Sequence, residues 1–416
     1  MPLPIEDYAV IGDLHTAALV GRDGSIDWLC LPHFGSEACF AKLLGTDQNG
    51  YWRIAPDESK AAITAHRRCY RDRTLVLETE LDTAHGSIRV TDCMPIREKN
   101  PQVVRMVTGL RGSVPLRMEL AMRFGYGQTV PWVSKSGGLL TGTAGPDSLA
   151  LWSSIPTRGE DMRTVGEAVV SEGQQLPFTL TWYRSHLPPP APVDAGYAIA
   201  TTDAWWQDWS GRCTYDGDYC DEVLRSLITL KALTYAPTGG IVAAPTTSLP
   251  EHIGGPRNWD YRYCWIRDAT FTLYALLISG FREEAQAWRE WLLRAVAGQP
   301  AQLQIMYGLA GERQLPEREI PWLAGYEGSR PVRIGNAAHS QFQLDIYGEI
   351  ADAFHIARRY GIESNDESWR VEKALLDFLE SAWRQADEGI WEVRGPRRHF
   401  THSKVMAWVA ADRAVK

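Results

Sequence analysis

The chain has 416 residues and a formal net charge of −8 at pH 7, with 43 lysines and arginines that form no long run. A nucleic-acid or anionic-membrane partner is therefore disfavoured and a neutral partner expected. Its length exceeds one ordinary hydrophobic core, so more than one domain is expected.

The opening MPLPIEDYAVIGD has no basic segment followed by an apolar core, and no later stretch offers about eighteen uncharged apolar residues. Cys30, Cys39, Cys69, Cys93, Cys213, Cys220 and Cys264 are odd in number and lack CxxC spacing, as expected of reduced thiols without a zinc site. These features predict a chain that is soluble and remains in the cytoplasm.

From Ile5 to about Arg184 short alternating runs are broken by turn residues. Ala17 to Val20 and Ser25 to Leu31 flank a GRDG turn, and Glu80 to Cys93 repeats the hairpin pattern around Ala84, His85 and Gly86. Such strands without a helical period predict an antiparallel sandwich over residues 1–185, with support as its expected role. Residues 186–217 read as a linker: HLPPPAPV cannot carry a helix or central strand, and a short helix is expected at Ala198 to Trp209. Beyond it, over 218–416, the period becomes helical. Helices are predicted at Cys220 to Ala236, Ile266 to Gly280, Arg282 to Val296, Ala337 to Tyr360, Glu367 to Ala386 and Thr401 to Lys416. Their connections alternate between long and short. Since short links force antiparallel neighbours, the long loops 237–265, 297–336 and 387–400 should gather on one rim. Loops too long for mere connection usually carry function.

The chemistry concentrates in those loops. In Asn258 to Phe271, NWDYRYCWIRDATF, Arg267 and Asp268 fall in the first turn of a helix, where a guanidinium and a carboxylate can grip vicinal hydroxyls. Trp259, Tyr261, Tyr263 and Trp265 would supply flat walls, a set suited to a polyhydroxylated ring; equally, the aromatics could be core and Asp268 a complement to the helix dipole. The chain's 17 tryptophans agree with carbohydrate without establishing it. In the second loop Arg330, Arg333 and Asn336 could order sugar hydroxyls, or the arginines could neutralise Glu317, Glu319 and Glu327. In the third, Glu392 stands between Trp391 and Val393, an apolar setting that raises a carboxyl pKa and would suit a general acid; a plain loop carboxylate is the alternative. His399 and His402 have ligand spacing but no evident third ligand, so no metal is called for. Neither a Gly-rich phosphate loop nor a GxSxG elbow is present, and no cofactor is expected.

Four stretches in order, IEDYAVIGDLHTAALVGRDGSIDWLCLP, NWDYRYCWIRDATF, LAGYEGSRPVRIGNAAHSQFQLDIYGEI and GIWEVRG with HFTHSKVMAWVAADR, resemble glycoside hydrolase family 15, the glucoamylase and trehalase-like family. The likeness runs from near Ile5 to the last residue. It implies an N-terminal antiparallel β-supersandwich followed by an (α/α)6 toroid, and hydrolysis of α-linked glucosides with inversion. It further implies that Arg267 and Asp268 hold hydroxyls of the terminal glucose, that Trp265 and Tyr261 wall the pocket, and that Trp391 and Glu392 are the Trp-Glu element whose glutamate is the general acid. Arg330 and Arg333 lie in the matching second loop.

An inverting hydrolase also needs a second carboxylate about 6.5 to 9.5 Å from the acid. No glutamate here matches the family's base motif, so the general base is not identified. Six helices are half of the family's twelve. The expectation is a small α-glucoside or oligosaccharide substrate, a partial toroid open to pairing as a homo-oligomer, and, as the alternative, a catalytically incomplete glucoside-binding or scaffold protein.

Overall fold

The structure is a computed structural model and describes residues 2–416. It divides into two compact units, the first comprising residues up to Gly211 with Ser248–Asn258 and Ile320–Val332, the second comprising Arg212–Thr247, Trp259–Glu319 and Arg333–Lys416.

Fifteen strands joined by antiparallel pairing form the first unit, organised around one 20-residue strand, Gln102–Ala121. The first half of that strand pairs with Gly86–Cys93 and Gln175–Arg184, the second half with Tyr51–Pro56 and Arg163–Ser171. Partners change at Gly109 to Gly112. Gly112 has φ +67°, and a Cβ there would meet the His85 carbonyl oxygen at 2.2 Å, so the bend requires glycine. The same strand thus serves two sheets. Side chains from both fill one core, including Ile11, Val20, Trp52 and Leu120 from one sheet and Leu81, Val90, Leu151 and Phe178 from the other. The expected hairpins form at Ala17–Gly21 with Ser25–Cys30 and at Leu77–Thr83 with Gly86–Cys93.

Helix α1 (Ala195–Ser210) begins at Asp194, whose carboxylate accepts from the Tyr197 amide at 2.9 Å. Its apolar side, Ala195, Ala198 and Ile199, packs on Val76, Cys93, Val104 and Met106. The segment expected as a linker is thereby an integral part of the first unit as far as Gly211, because a helix with an apolar face is stable only where that face is covered. Two pieces of the long loops join the same unit. Within it the Gly325 amide donates to the Leu44 carbonyl at 2.8 Å and the Trp322 indole to the Tyr126 carbonyl at 3.2 Å.

The second unit holds α2 (Cys220–Ala232), α3 (Ile266–Ile278), α4 (Arg282–Val296), α5 (Asp345–Arg359), α6 (Asp366–Ala382) and α7 (Thr401–Val415). Packing runs α2 to α3, α3 to α4 and α5, and α5 to α6 and α7. Close approach of α5 and α7 depends on Gly348, where a Cβ would meet the Met406 carbonyl oxygen at 2.3 Å. Three helices differ from expectation, among them α6, which ends at Ala382 and not at Ala386. The segment expected to be helical from Ala337 makes only a short 3-10 turn at Ala337–Ser340, and α5 starts at Asp345. Gln341 is extended and the Leu344 amide donates to the Asp387 carboxylate at 2.9 Å, so side-chain bonds displace the helical ladder there. Helix α2 stops at Ala232, since Thr234–Tyr235 pairs with Gly240–Ile241 around a turn in which Gly239 has φ +85°. Among the described residues no helix is long and apolar enough to cross a membrane.

Candidate active site

Trp265 ends the two-residue strand Cys264–Trp265, paired with Met306–Tyr307, and is also the residue capping α3. Arg267 and Asp268 therefore occupy the first turn of α3, as expected. The other charges of NWDYRYCW are spent on shape. Buried Arg262 donates to both carboxylate oxygens of buried Asp260, at 2.9 and 2.7 Å, and Asp260 also accepts from the Gly335 amide at 3.2 Å.

Glu392 lies on the loop between α6 and α7, whose base is pinned by reciprocal backbone bonds of 2.9 Å between Asp387 and Arg398. Its backbone has φ +52°, a conformation that costs a non-glycine residue about 1–3 kcal/mol and persists only when surroundings impose it. Here its amide donates to the Gly389 carbonyl at 3.0 Å, and its carbonyl accepts from the Gln341 side chain at 3.1 Å.

The structure brings Trp265, Arg267, Asp268 and Glu392 together. The Trp265 indole N–H donates to Glu392 Oε1 at 2.7 Å, and Arg267 Nη2 lies 3.9 Å from the same oxygen. Arg267 also donates to Asp268 at 3.0 Å and to the Ile390 carbonyl at 3.0 Å, which ties α3 to the Glu392 loop. Burial, with Asp268's charge adding to it, raises the Glu392 pKa; the bond from Trp265 and the charge of Arg267 oppose this without cancelling it. A carboxyl so placed holds its proton further toward neutral pH and can deliver it to an oxygen presented beside the Arg267–Asp268 pair. Tyr261 lies against Trp265, with ring centroids 5.5 Å apart and planes at 37°.

Four expected site residues sit differently. Trp391, expected as the substrate-binding tryptophan of the Trp-Glu element, is 84% exposed, because the positive φ at Glu392 turns that carboxyl inward while its neighbour stays outside. Arg330 belongs to the first unit, where its Nε donates to the Ala324 carbonyl at 3.3 Å. Arg333 lies near Glu317 at 3.5 Å and Glu319 at 3.8 Å, the ion-pair reading of the second loop. Asn336 caps the following 3-10 turn through the Ala338 amide at 3.0 Å and is buried.

The residue reading missed a carboxylate row on α5. Asp345 and Glu349 are 0% and 5% exposed, and the electrostatics of both are coupled to Arg267. His402 on α7 places Nδ1 3.7 Å from the Asp345 carboxylate. Burial, reinforced by the charge of Asp345, pushes Glu349 up to about 8. The signal was present as acidic residues four apart on one face of DIYGEIAD, which reads as ordinary surface until the packing of that face is known.

Residues 217–416 match the family model Glycosyl hydrolases family 15, and residues 1–175 match Trehalase-like, N-terminal. The chain is 35% identical to a trehalase of Mycolicibacterium smegmatis, covering 99% of this chain and 66% of that protein. It is 36% identical to trehalase 1 of Sulfolobus acidocaldarius, covering 100% of this chain and 71% of that protein. The chain thus spans about two thirds of the length of these curated relatives. A bacterial glucoamylase complexed with acarbose superposes with a TM-score of 0.65 at 13% identity, covering 100% of this chain and 66% of that one, a likeness of fold. A sheet-rich N-terminal part followed by a helical part, matched in sequence along its whole length, places the chain in its family: it belongs to the glycosyl hydrolases of family 15.

Proposed function

We propose that the chain carries the acid half of an inverting, exo-acting α-glucoside hydrolase that releases glucose, of trehalase or glucoamylase type. The observation that carries this reading is the Glu392 carboxyl, raised in pKa, 2.7 Å from the Trp265 indole and 3.9 Å from Arg267. In the proposed reaction Arg267 and Asp268 hold hydroxyls of the terminal glucose against the Tyr261 and Trp265 rings. Glu392 donates its proton to the glycosidic oxygen as the C1–O bond breaks. Water attacks C1 from the opposite face, losing its proton to a carboxylate base about 6.5–9.5 Å from the acid. The base is unassigned. Trehalase relatives at 35% and 36% identity support trehalose as the first substrate to try.

The helical unit is proposed to be half of an (α/α)6 toroid. Exposed Phe271, Tyr274 and Ile278 on α3, and Val405 and Trp408 on α7, support that reading, because the inner helices of an open ring leave such faces uncovered. Pairing of two chains through them would show as a dimer mass in sedimentation.

Glucose release from trehalose and from maltose, with calorimetry alongside, tests the proposal. Glu392→Gln should lower turnover on the order of 100-fold or more and leave sugar affinity within a few fold, since acid catalysis contributes 10²–10⁴. Unchanged turnover would remove Glu392 from the role. Sugar binding without glucose release in the unaltered chain would favour the glucoside-binding reading, which the unassigned base also supports. NMR of the first-formed anomers from trehalose should show one β-glucose, from the ring attacked at C1, for each α-glucose, from the ring that leaves with its own C1–O bond intact; α-glucose alone would end the inverting assignment.

A further inference from the structure

Each of the three long loops sends a residue to one cluster beside Glu392. Trp259 comes from the first, six positions ahead of Trp265; Glu317 and Arg333 come from the second; Arg394 comes from the third, two positions past Glu392. The guanidinium carbon of Arg394 lies 3.9 Å from the centre of the Trp259 ring, and that of Arg333 lies 4.7 Å from it. Arg394 also forks onto Glu317, donating from its two terminal nitrogens to the two carboxylate oxygens at 3.0 and 2.6 Å. Glu317 further accepts from the Ala337 amide at 3.0 Å. Two guanidinium groups thus share one aromatic ring and one carboxylate, a geometry in which charge-assisted bonds and cation–π attraction reinforce each other. Although burial works against its charge, the bonds from Arg394 and the Ala337 amide hold Glu317 below the usual carboxylate range, so the cluster stays ionised.

We propose that Trp259, Glu317, Arg333 and Arg394 form a latch that positions Glu392, with Arg394 and Trp259 acting as positioning residues and not as sugar ligands. The inference goes beyond the reading of Glu392 as proton donor and rests on it. The need for a latch is local. Glu392 has positive φ, and Trp391 and Val393 on either side of it are 84% and 42% exposed, so the loop has little packing of its own. Placement errors near 1 Å can cost about 100-fold in rate. Arg267 holds the loop from the α3 side through the Ile390 carbonyl, and the latch holds it just past the carboxyl.

Hydrogen–deuterium exchange of the amides of residues 389–395 in the unaltered chain and its variants tests this. Arg394→Gln and Trp259→Leu should each speed exchange by on the order of tenfold or more while α3 and α5 keep their rates. Trp259→Phe, which retains an aromatic face, should restore protection, and the Leu/Gln double variant should exchange no faster than either single one, as expected of a shared unit. In glucose release the loss should fall on kcat with KM within about twofold.

Unchanged exchange in Arg394→Gln overturns the latch, as does a loss carried by KM, which would make Arg394 a sugar ligand. If Trp259→Leu fails to fold, judged by circular dichroism, Arg394→Gln carries the test, because that side chain is 40% exposed. The two readings fail separately: full turnover in Glu392→Gln removes the acid, whereas unaltered exchange with an inactive Glu392→Gln removes only the latch.

Discussion

Two arginine–carboxylate pairs, one in each unit, show how the same chemistry serves opposite ends. In the sheet-rich unit, Arg105 and Asp92 are 0% and 1% exposed. Arg105 donates to Asp92 at 2.8 and 3.3 Å, to the Trp52 carbonyl at 3.0 Å and to the Gly24 carbonyl at 2.8 Å, which takes up four of its five N–H donors. In the helical unit, Arg267 stands 3.9 Å from Glu392, beyond a hydrogen bond, and turns its donors to Asp268 and the Ile390 carbonyl. The first carboxylate accepts on both oxygens from one buried guanidinium. The second has a single indole bond and the partial counter-charges of Arg267 and Arg394, and burial prevails over them to raise its pKa. Satisfaction gives stability, and incomplete satisfaction gives a group that can react.

Breaking the sealed pair should have the largest effect. Asp92→Ala leaves a buried guanidinium without its carboxylate and should cost about 3–5 kcal/mol in urea unfolding, whereas replacing both partners by apolar residues of similar volume should cost far less. Equal losses in the two variants would mean that the pair, and not its satisfaction, is what matters.

The carboxylates behind the site sharpen the comparison through pH. Glu349 titrates at about 8 in the folded chain and near 4.3 when unfolded, so between those values the folded state holds a proton that the unfolded state has lost. Stability should therefore fall as pH rises across that window. Glu349→Gln should flatten the fall in melting temperature between pH 5 and pH 8; an identical slope would relieve Glu349 of this part.

A smaller change is expected at the indole. Trp265→Phe removes the donor that favours ionised Glu392, so the basic limb of the activity profile should move to higher pH; movement to lower pH would contradict the opposition between burial and that bond. The smallest effect belongs to an exposed pair. Lys373 and Asp377 on α6 meet at 2.6 Å but are 63% and 62% exposed, and Lys373→Ala should cost under about 0.5 kcal/mol in thermal unfolding. A cost near that of Asp92→Ala would deny that satisfaction in a buried setting makes the difference.

Much of this was legible in the residues because it depends on neighbours in the chain. The GRDG turn between alternating runs sets the hairpin Ala17–Gly21 with Ser25–Cys30, and three- and four-residue apolar spacing marks α3 through α7. Trp265, Arg267 and Asp268 are fixed relative to one another by the start of a single helix, so their grouping follows from sequence alone. Sequence alone also placed Glu392 as a carboxyl beside Trp391, although the indole that bonds it is that of Trp265, 127 positions earlier.

Distant choices were decided only by the tertiary structure. One strand bends at Gly112 to serve two sheets, and α1 lies on the sheet where a linker was expected. Arg333 turns to Glu317 and Trp259, and the acidic face of α5 is buried. Each outcome turns on which partner is within reach. An arginine's donors are satisfied equally well by a sugar hydroxyl or a glutamate, and a carboxylate's pKa follows the water excluded around it, quantities that exist only once segments far apart in the chain have packed.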